Sequence, residues 1–161
     1  MSRTTLKPAL AAVCALAAGL LIMASPALAQ GKLDLVGKYT SGDQEIDVAT
    51  IADQDKRTVR LDVVKGESRT SIVLNPDQLG ALLDLWDKAG GAQSDTWMEV
   101  GAIDGTAGPK GPTHLTLSAG KGVRFVLQSP PAAAVTFDLD PDDTSRFDLS
   151  LHEAQTFLDG N

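Results

Sequence analysis

The sequence predicts an α+β fold: two antiparallel β-meander-plus-helix units that form one pseudo-symmetric domain. The first observation is that segments with alternating apolar and polar residues, the pattern of half-buried strands, recur along most of residues 33–74 and 97–139. The second is that each series of strands ends in a segment with helical spacing. The order of strands and then a helix therefore occurs twice, over approximately residues 33–90 and 97–161.

The first unit is predicted to contain four strands separated by short polar turns. The clearest alternation is at Val59, Leu61 and Val63, which face one way while Arg60 and Asp62 face the other. Glycine and acidic residues mark the turns between the strands. The predicted apolar strand positions are Leu33, Leu35, Tyr39, Ile46, Val48, Val59, Leu61 and Val63, and the fourth strand covers residues 69–74.

The helix of the first unit has several start signals. Asn75 is a good N-cap residue, Pro76 suits the first helical position, and Gln78 completes a capping box. Gly90 and Gly91 provide a stop signal. The apolar face predicted to pack on the sheet consists of Leu79, Leu82, Leu83 and Trp86.

The second unit repeats this pattern with insertions. Its predicted strands cover residues 97–103, 114–118, 123–128 and 135–139, and a long irregular loop covers residues 104–112. A short strand through Phe147 is predicted to lead into a helix capped by Ser150 and Glu153. A shift of 75 residues places Asn75 on Ser150, which indicates an internal duplication. The apolar face of this helix consists of Ala154, Phe157 and Leu158.

Residues 1–29 have the pattern of a secretory signal peptide. Arg3 and Lys7 form a basic start, residues 9–24 are an uncharged apolar run, and Ala27-Leu28-Ala29 precedes Gln30 as a cleavage site. The alternative is an uncleaved anchor, but the run is short for a span of about 20 residues. The sequence therefore predicts a periplasmic or secreted protein without a membrane span, whose mature domain is residues 30–161.

Cleavage changes the charge and cysteine content of the chain. The signal holds two of the 14 basic residues and none of the 21 acidic ones, so the mature formal net charge is −9. The single cysteine, Cys14, is also in the signal. An exported domain without disulfides depends on its hydrophobic core, and a domain of this size can form one.

The junction Ile72-Val73-Leu74-Asn75-Pro76-Asp77-Gln78-Leu79 resembles the strand-to-helix junction of the single-stranded-DNA-binding transcriptional coactivators. Two units of four strands and a helix are also similar to the Whirly arrangement. The resemblance implies a topology. In that family basic and aromatic residues of the sheets bind nucleic acid, whereas this mature chain is acidic and exported. We therefore carry no binding residue across and expect no nucleic-acid partner.

The histidines and carboxylates are the candidate metal ligands of the chain. His114 and His152 are isolated in the sequence, and the expected mature chain has no cysteine, which excludes a His/Cys zinc site. The acidic cluster Asp138, Asp140, Asp142 and Asp143 resembles part of a calcium loop. Asp143 occupies the glycine position and Leu149 the terminal glutamate position, so the motif fails. We expect no cofactor and no metal, although the cluster leaves a weak divalent site open.

The predicted function is a non-catalytic binding module of the bacterial cell envelope that recognises another protein. The candidate recognition site is the loop 104–112, with Asp104, Lys110 and His114 as candidate ligand-binding residues. The alternative is a small envelope hydrolase that uses the carboxylates around Glu99, Asp104 or Asp138.

Mature protein from the native host should begin at Gln30, because the signal is expected to be cleaved after Ala29. Intact-mass measurement and N-terminal sequencing check this start, and the new terminal glutamine is free to cyclise. A mature species that retains Met1 would contradict the prediction.

Overall fold

The computed structural model of the protein describes residues 31–92, 94–106 and 111–160. These residues form eight strands and two α-helices, in the order of four strands and one helix, twice. The elements are β1 Lys32–Ser41, β2 Gln44–Asp53, β3 Lys56–Lys65, β4 Ser68–Leu74, α1 Pro76–Gly91, β5 Met98–Thr106, β6 Pro112–Ala119, β7 Val123–Gln128, β8 Val135–Leu139 and α2 Thr144–Leu158. The α+β class is confirmed.

The eight strands form one antiparallel sheet whose spatial order equals the chain order. The two halves of the sheet are joined weakly, because β4 and β5 share the single registered pair Val73 and Thr106. The helices connect the halves more extensively. Helix α1 packs on β5 and β6 of the second half, whereas α2 packs on β1, β2 and β3 of the first. Each helix therefore covers strands of the other half.

One hydrophobic core lies between the sheet and the helices, and aromatic rings occupy its centre. The ring of Phe147 on α2 lies 5.1 Å from Tyr39 of β1, 5.0 Å from Trp86 of α1 and 5.1 Å from Phe125 of β7. Phe125 also packs against Phe137 of β8. Aromatic pairs at such spacings stabilise beyond their buried area, so this cluster holds both helices and both halves together.

The start of α1 has the predicted cap. The Asn75 side chain accepts a hydrogen bond from the Gln78 backbone amide, and the Gln78 side chain accepts one from the Asn75 amide, each at 2.9 Å. Pro76 occupies the first helical position, as predicted. The face that packs inward is Leu79, Leu82, Trp86 and Ala89, with Leu83 only half-buried.

The predicted start of the second helix is wrong. Helix α2 begins at Thr144, so the predicted strand through Phe147 is helical and the capping box of Ser150 and Glu153 does not form. The chain enters α2 through a 3₁₀ turn at Pro141–Asp143, where the Asp140 side chain accepts from the Asp142 amide at 3.0 Å. Ser150 is instead buried within the helix. The buried face has the spacing of a longer helix: Phe147, Ser150, Leu151, Ala154 and Leu158.

Two further expectations need correction. The irregular loop is shorter than predicted, because residues 104–106 belong to β5 and Pro112 already belongs to β6. Lys110 lies outside the described residues. Leu33 and Leu35 on β1 are exposed rather than buried, because a register irregularity between Leu35 and Gly37 interrupts the alternation of this edge strand.

Replacing Leu82 with alanine should lower the free energy of unfolding by about 2–5 kcal/mol, because the side chain is fully buried and leaves a cavity. The neighbouring Leu83→Ala variant is the matched control and should cost less, since Leu83 is only half-buried. Chemical denaturation of both variants measures the difference. Equal costs at the two positions would contradict the described face of α1.

Candidate functional site

The structure brings together two of the three sequence-predicted site residues. Asp104 and His114 are directly opposite each other on β5 and β6, and His114 Nδ1 contacts Asp104 Oδ1. The Asp104 carbonyl oxygen also accepts from the Gln78 side-chain amide at 2.7 Å. Both residues therefore lie on strands and join β5 to β6 and α1, so they are not parts of a projecting loop.

The carboxylates of the alternative hydrolase do not converge. Glu99 and Asp104 lie five residues apart along β5, which corresponds to about 17 Å in a strand. Asp138 makes two hydrogen bonds with the Arg124 guanidinium, at 2.6 and 2.8 Å, and this pairing raises the pKa of Arg124. The guanidinium carbon also lies 4.2 Å from the centre of the Trp97 ring. Asp138 is thus part of a structural pair.

The acidic cluster at 138–143 is likewise divided among separate local roles. Asp140 caps the 3₁₀ turn, and Asp143 accepts a hydrogen bond from Arg146 at 2.9 Å. Within residues 31–92, 94–106 and 111–160, no three His, Cys, Asp or Glu side chains are grouped as metal ligands.

A groove of about 800 Å³ lies between the two helices and the β6–β7 turn. Three parts of the chain form it: the last turns of α1 with the residues that follow, the turn between β6 and β7, and the first turns of α2. The lining combines one aromatic ring, small residues, hydroxyls and charges of both signs. Its lining residues are Trp86, Ala89, Gly90, Ser94, Asp95, Gly120, Lys121, Gly122, Val123, Pro141, Thr144, Ser145 and Asp148.

Close packing fixes two sides of this groove. The Trp86 ring is held by its contacts with Phe125 and Phe147, and it remains 7% exposed. Gly122 packs so closely on the chain that a Cβ atom there would overlap the Leu139 carbonyl oxygen. A Cβ atom on Gly120 would lie 2.8 Å from the Trp97 ring. Close packing therefore holds Trp86 and the two glycines of the β6–β7 turn in place, a property that favours binding.

A second cavity, of about 520 Å³, lies beside the β2–β3 turn and the end of α2. Its main polar side chain is already engaged. Arg57 donates to the Phe157 carbonyl oxygen at 2.8 Å, and its guanidinium carbon lies 5.4 Å from the centre of the Phe157 ring. This arrangement anchors the end of α2 to β3, so the first groove is the stronger candidate site.

A row of polar residues crosses the sheet face opposite the core. Lys38, Asp47, Asp62 and Ser71 are directly opposite one another on β1 to β4. Asp62 is 1% exposed and accepts hydrogen bonds from Arg60, Arg69 and Ser71. Sequence alternation placed Asp62 on the wet face but could not show that long neighbouring side chains would bury it.

The Asp47 carboxylate in this row has fewer hydrogen-bond partners than the Asp62 carboxylate. Among the described residues, its buried Oδ1 atom has no hydrogen-bond partner, and the nearest cation is Lys38 Nζ at 3.6 Å. Burial is the main cause that raises the pKa of Asp47, and the charges of Glu45 and Asp62 raise it further. Lys38 and Arg69 oppose this shift only in part, so ionisation of Asp47 is less favourable in the folded protein than in the unfolded chain.

No sequence motif marks the groove, because its lining comes from three separate parts of the chain. Comparisons with known proteins do not assign it either: no protein-family model matches the chain, and no curated protein matches it. Within the part of the chain that the structure describes, no helix combines the length and apolar character needed to cross a membrane.

Replacing Asp47 with asparagine should raise the free energy of unfolding at pH 7. The pKa of Asp47 in the folded protein is above its ordinary value. The protonated carboxyl group therefore stabilises the folded state below about pH 3.9, and this stabilisation is lost as pH rises through the folded pKa. The gain from asparagine should consequently shrink as the pH is lowered. Denaturation curves at several pH values measure it.

The control for this prediction is Asp43→Asn, which removes an exposed carboxylate 3.7 Å from Lys65 Nζ. Exposed pairs of this kind contribute little to stability, so this variant should unfold like the wild type at each pH. A loss of stability in Asp47→Asn at pH 7 would show that the ionised carboxylate is favourable, contrary to the prediction.

Proposed function

We propose that this protein is an exported, non-catalytic binding module of the bacterial cell envelope that recognises another protein. The observation that carries the proposal is the groove between α1, the β6–β7 turn and α2, with its mixed lining and its volume of about 800 Å³. Small-molecule sites are mostly apolar with a few polar groups. A lining of hydroxyls, backbone and both charges instead suits a segment of polypeptide.

The placement of the acidic side chains supports binding over catalysis. General acid–base chemistry needs carboxylates around one reacting centre. Asp104 is paired with His114 and Asp138 with Arg124, while Glu99 lies on another part of β5. These positions favour the binding module over the alternative hydrolase.

Export and the absence of a nucleic-acid partner remain parts of the same proposal. The signal pattern of residues 1–29 supports delivery to the periplasm or the exterior. The mature formal charge of −9 disfavours nucleic acid, because binding to phosphates requires clustered basic residues. An envelope protein is therefore the proposed partner.

We further propose that the two halves are pseudo-symmetric copies, with an offset of 65 residues at the helix starts in place of 75. This offset aligns Leu74-Asn75-Pro76-Asp77 with Leu139-Asp140-Pro141-Asp142. Both capping side chains accept a backbone amide hydrogen bond. The same offset aligns the buried residues Leu82 and Phe147, Trp86 and Leu151, and Ala89 and Ala154.

Two glycines support this proposal. Register irregularities occur next to Gly37 on β1 and Gly101 on β5, the first strand of each half. A Cβ atom on Gly37 would overlap Ser150 of α2, and one on Gly101 would lie 2.6 Å from the Leu85 side chain of α1. The absence of a side chain at each glycine thus lets the helix of the opposite half pack closely on the strand. The repeated order of elements also supports the proposed topological resemblance to the Whirly arrangement.

Site-specific photo-crosslinking in the native host tests the proposed function. A benzophenone amino acid at Ser145, an exposed groove residue on α2, should form a discrete higher-mass adduct with an envelope protein. The same group at Glu153 is the matched control, because Glu153 is exposed on α2 but does not line the groove. Glu153 should give no adduct.

Denaturing gels and mass spectrometry of the purified adduct identify the cross-linked protein. Equal adduct formation at both positions would mean that the groove is not the recognition site. Absence of an adduct at Ser145 in protein that is correctly exported and folded would contradict the binding proposal.

A further inference from the structure

The charges in the groove define the kind of segment that it can accept. Its lining includes two carboxylates, Asp95 and Asp148, and one ammonium group, Lys121. Asp95 follows α1 and Asp148 belongs to α2, so the carboxylates come from different parts of the chain. We propose that the groove binds an extended segment of the partner protein that carries one basic and one acidic side chain. This inference rests on the proposed function.

The Asp95 and Asp148 carboxylates define the place of the basic side chain in the groove. These carboxylates can accept charge-assisted hydrogen bonds from the N–H groups of a guanidinium or ammonium group. Trp86 also lines the groove, but it is only 7% exposed and packs against Phe125 and Phe147. It therefore supplies a fixed apolar wall that loses no conformational freedom on binding.

Both carboxylates are accessible to such a ligand. Asp95 is exposed, and the Asp148 side chain keeps 40% of its surface. His152 lies one turn further along α2, with Nδ1 3.0 Å from the Asp148 backbone oxygen and 3.4 Å from Asp148 Oδ1. The His152 ring therefore lies beside one oxygen of the Asp148 carboxylate, and the 40% exposure of the Asp148 side chain keeps the carboxylate accessible to a ligand.

Lys121 selects the acidic side chain of the bound segment. It is exposed on the turn between β6 and β7, at the side of the groove formed by Gly120 and Gly122. An ammonium group there attracts an acidic side chain of the segment and opposes a second basic one. The groove should therefore select a segment of mixed charge over a polybasic segment.

Titration of the folded protein with capped hexapeptides tests this inference. The probe contains one arginine and one glutamate, and the comparison peptide has glutamine in place of arginine. NMR spectra of ¹⁵N-labelled protein should show saturable shifts at groove residues and at the Trp86 indole N–H with the arginine peptide. The glutamine peptide should bind at least about threefold more weakly, as expected for loss of exposed charge pairs.

Asp95→Asn and Asp148→Asn should each lower the affinity for the arginine peptide by about threefold or more, whereas Glu153→Gln should leave that affinity unchanged. The two groove variants are independent: if one fails to fold, the other still decides. Equal affinity for both peptides, shifts confined to other surfaces, or no saturable shift up to the solubility limit would overturn the inference.

These outcomes separate the inference from the proposed function. Equal binding of both peptides in the groove, together with adducts at Ser145, would contradict the charge assignment and leave protein recognition standing. Arginine-selective peptide binding without any adduct in the native host would support the groove chemistry and contradict the proposed role in recognising an envelope protein.

Discussion

The packing of Phe147 is the contact on which the rest of the structure depends. Its ring touches aromatic residues of β1, α1 and β7, so one side chain of α2 joins elements from both halves of the chain. Strand pairing adds little to this connection, because β4 and β5 are registered through a single pair. The chain has no cysteine after Cys14, so the stability of these residues must come from such buried contacts rather than from disulfides.

The exchange of helices between the halves follows from this core. Each four-stranded half presents an apolar face that its own residues do not fully cover, and the helix of the other half packs there. Tyr39 shows how specific the contact is: its hydroxyl bonds the Arg146 carbonyl oxygen and the Ser150 hydroxyl, each at 2.7 Å. The same arrangement places the end of α1 beside the start of α2 and so creates the groove.

The charged residues of the sheet and those of the groove have different roles. Asp62 and Asp138 form ion pairs with arginine on strands, where they fix neighbouring side chains. Asp95, Lys121 and Asp148 instead lie on the segment after α1, on the β6–β7 turn and near the start of α2, and they line the groove. Loops and helix ends on a rigid scaffold are common recognition sites, and this distinction favours the groove over the Asp104–His114 pair.

The sequence by itself determined the α+β class, the approximate positions of the eight strands and the first helix, because those features depend on residues a few positions apart. Alternation defined β3, and the capping box of Asn75 and Gln78 defined the start of α1. Tertiary structure decided the start of α2: Ser150 resembles a cap locally but is buried against Tyr39. It alone also decided the burial of Asp47 and the assembly of the groove, since both depend on contacts between residues distant in the chain.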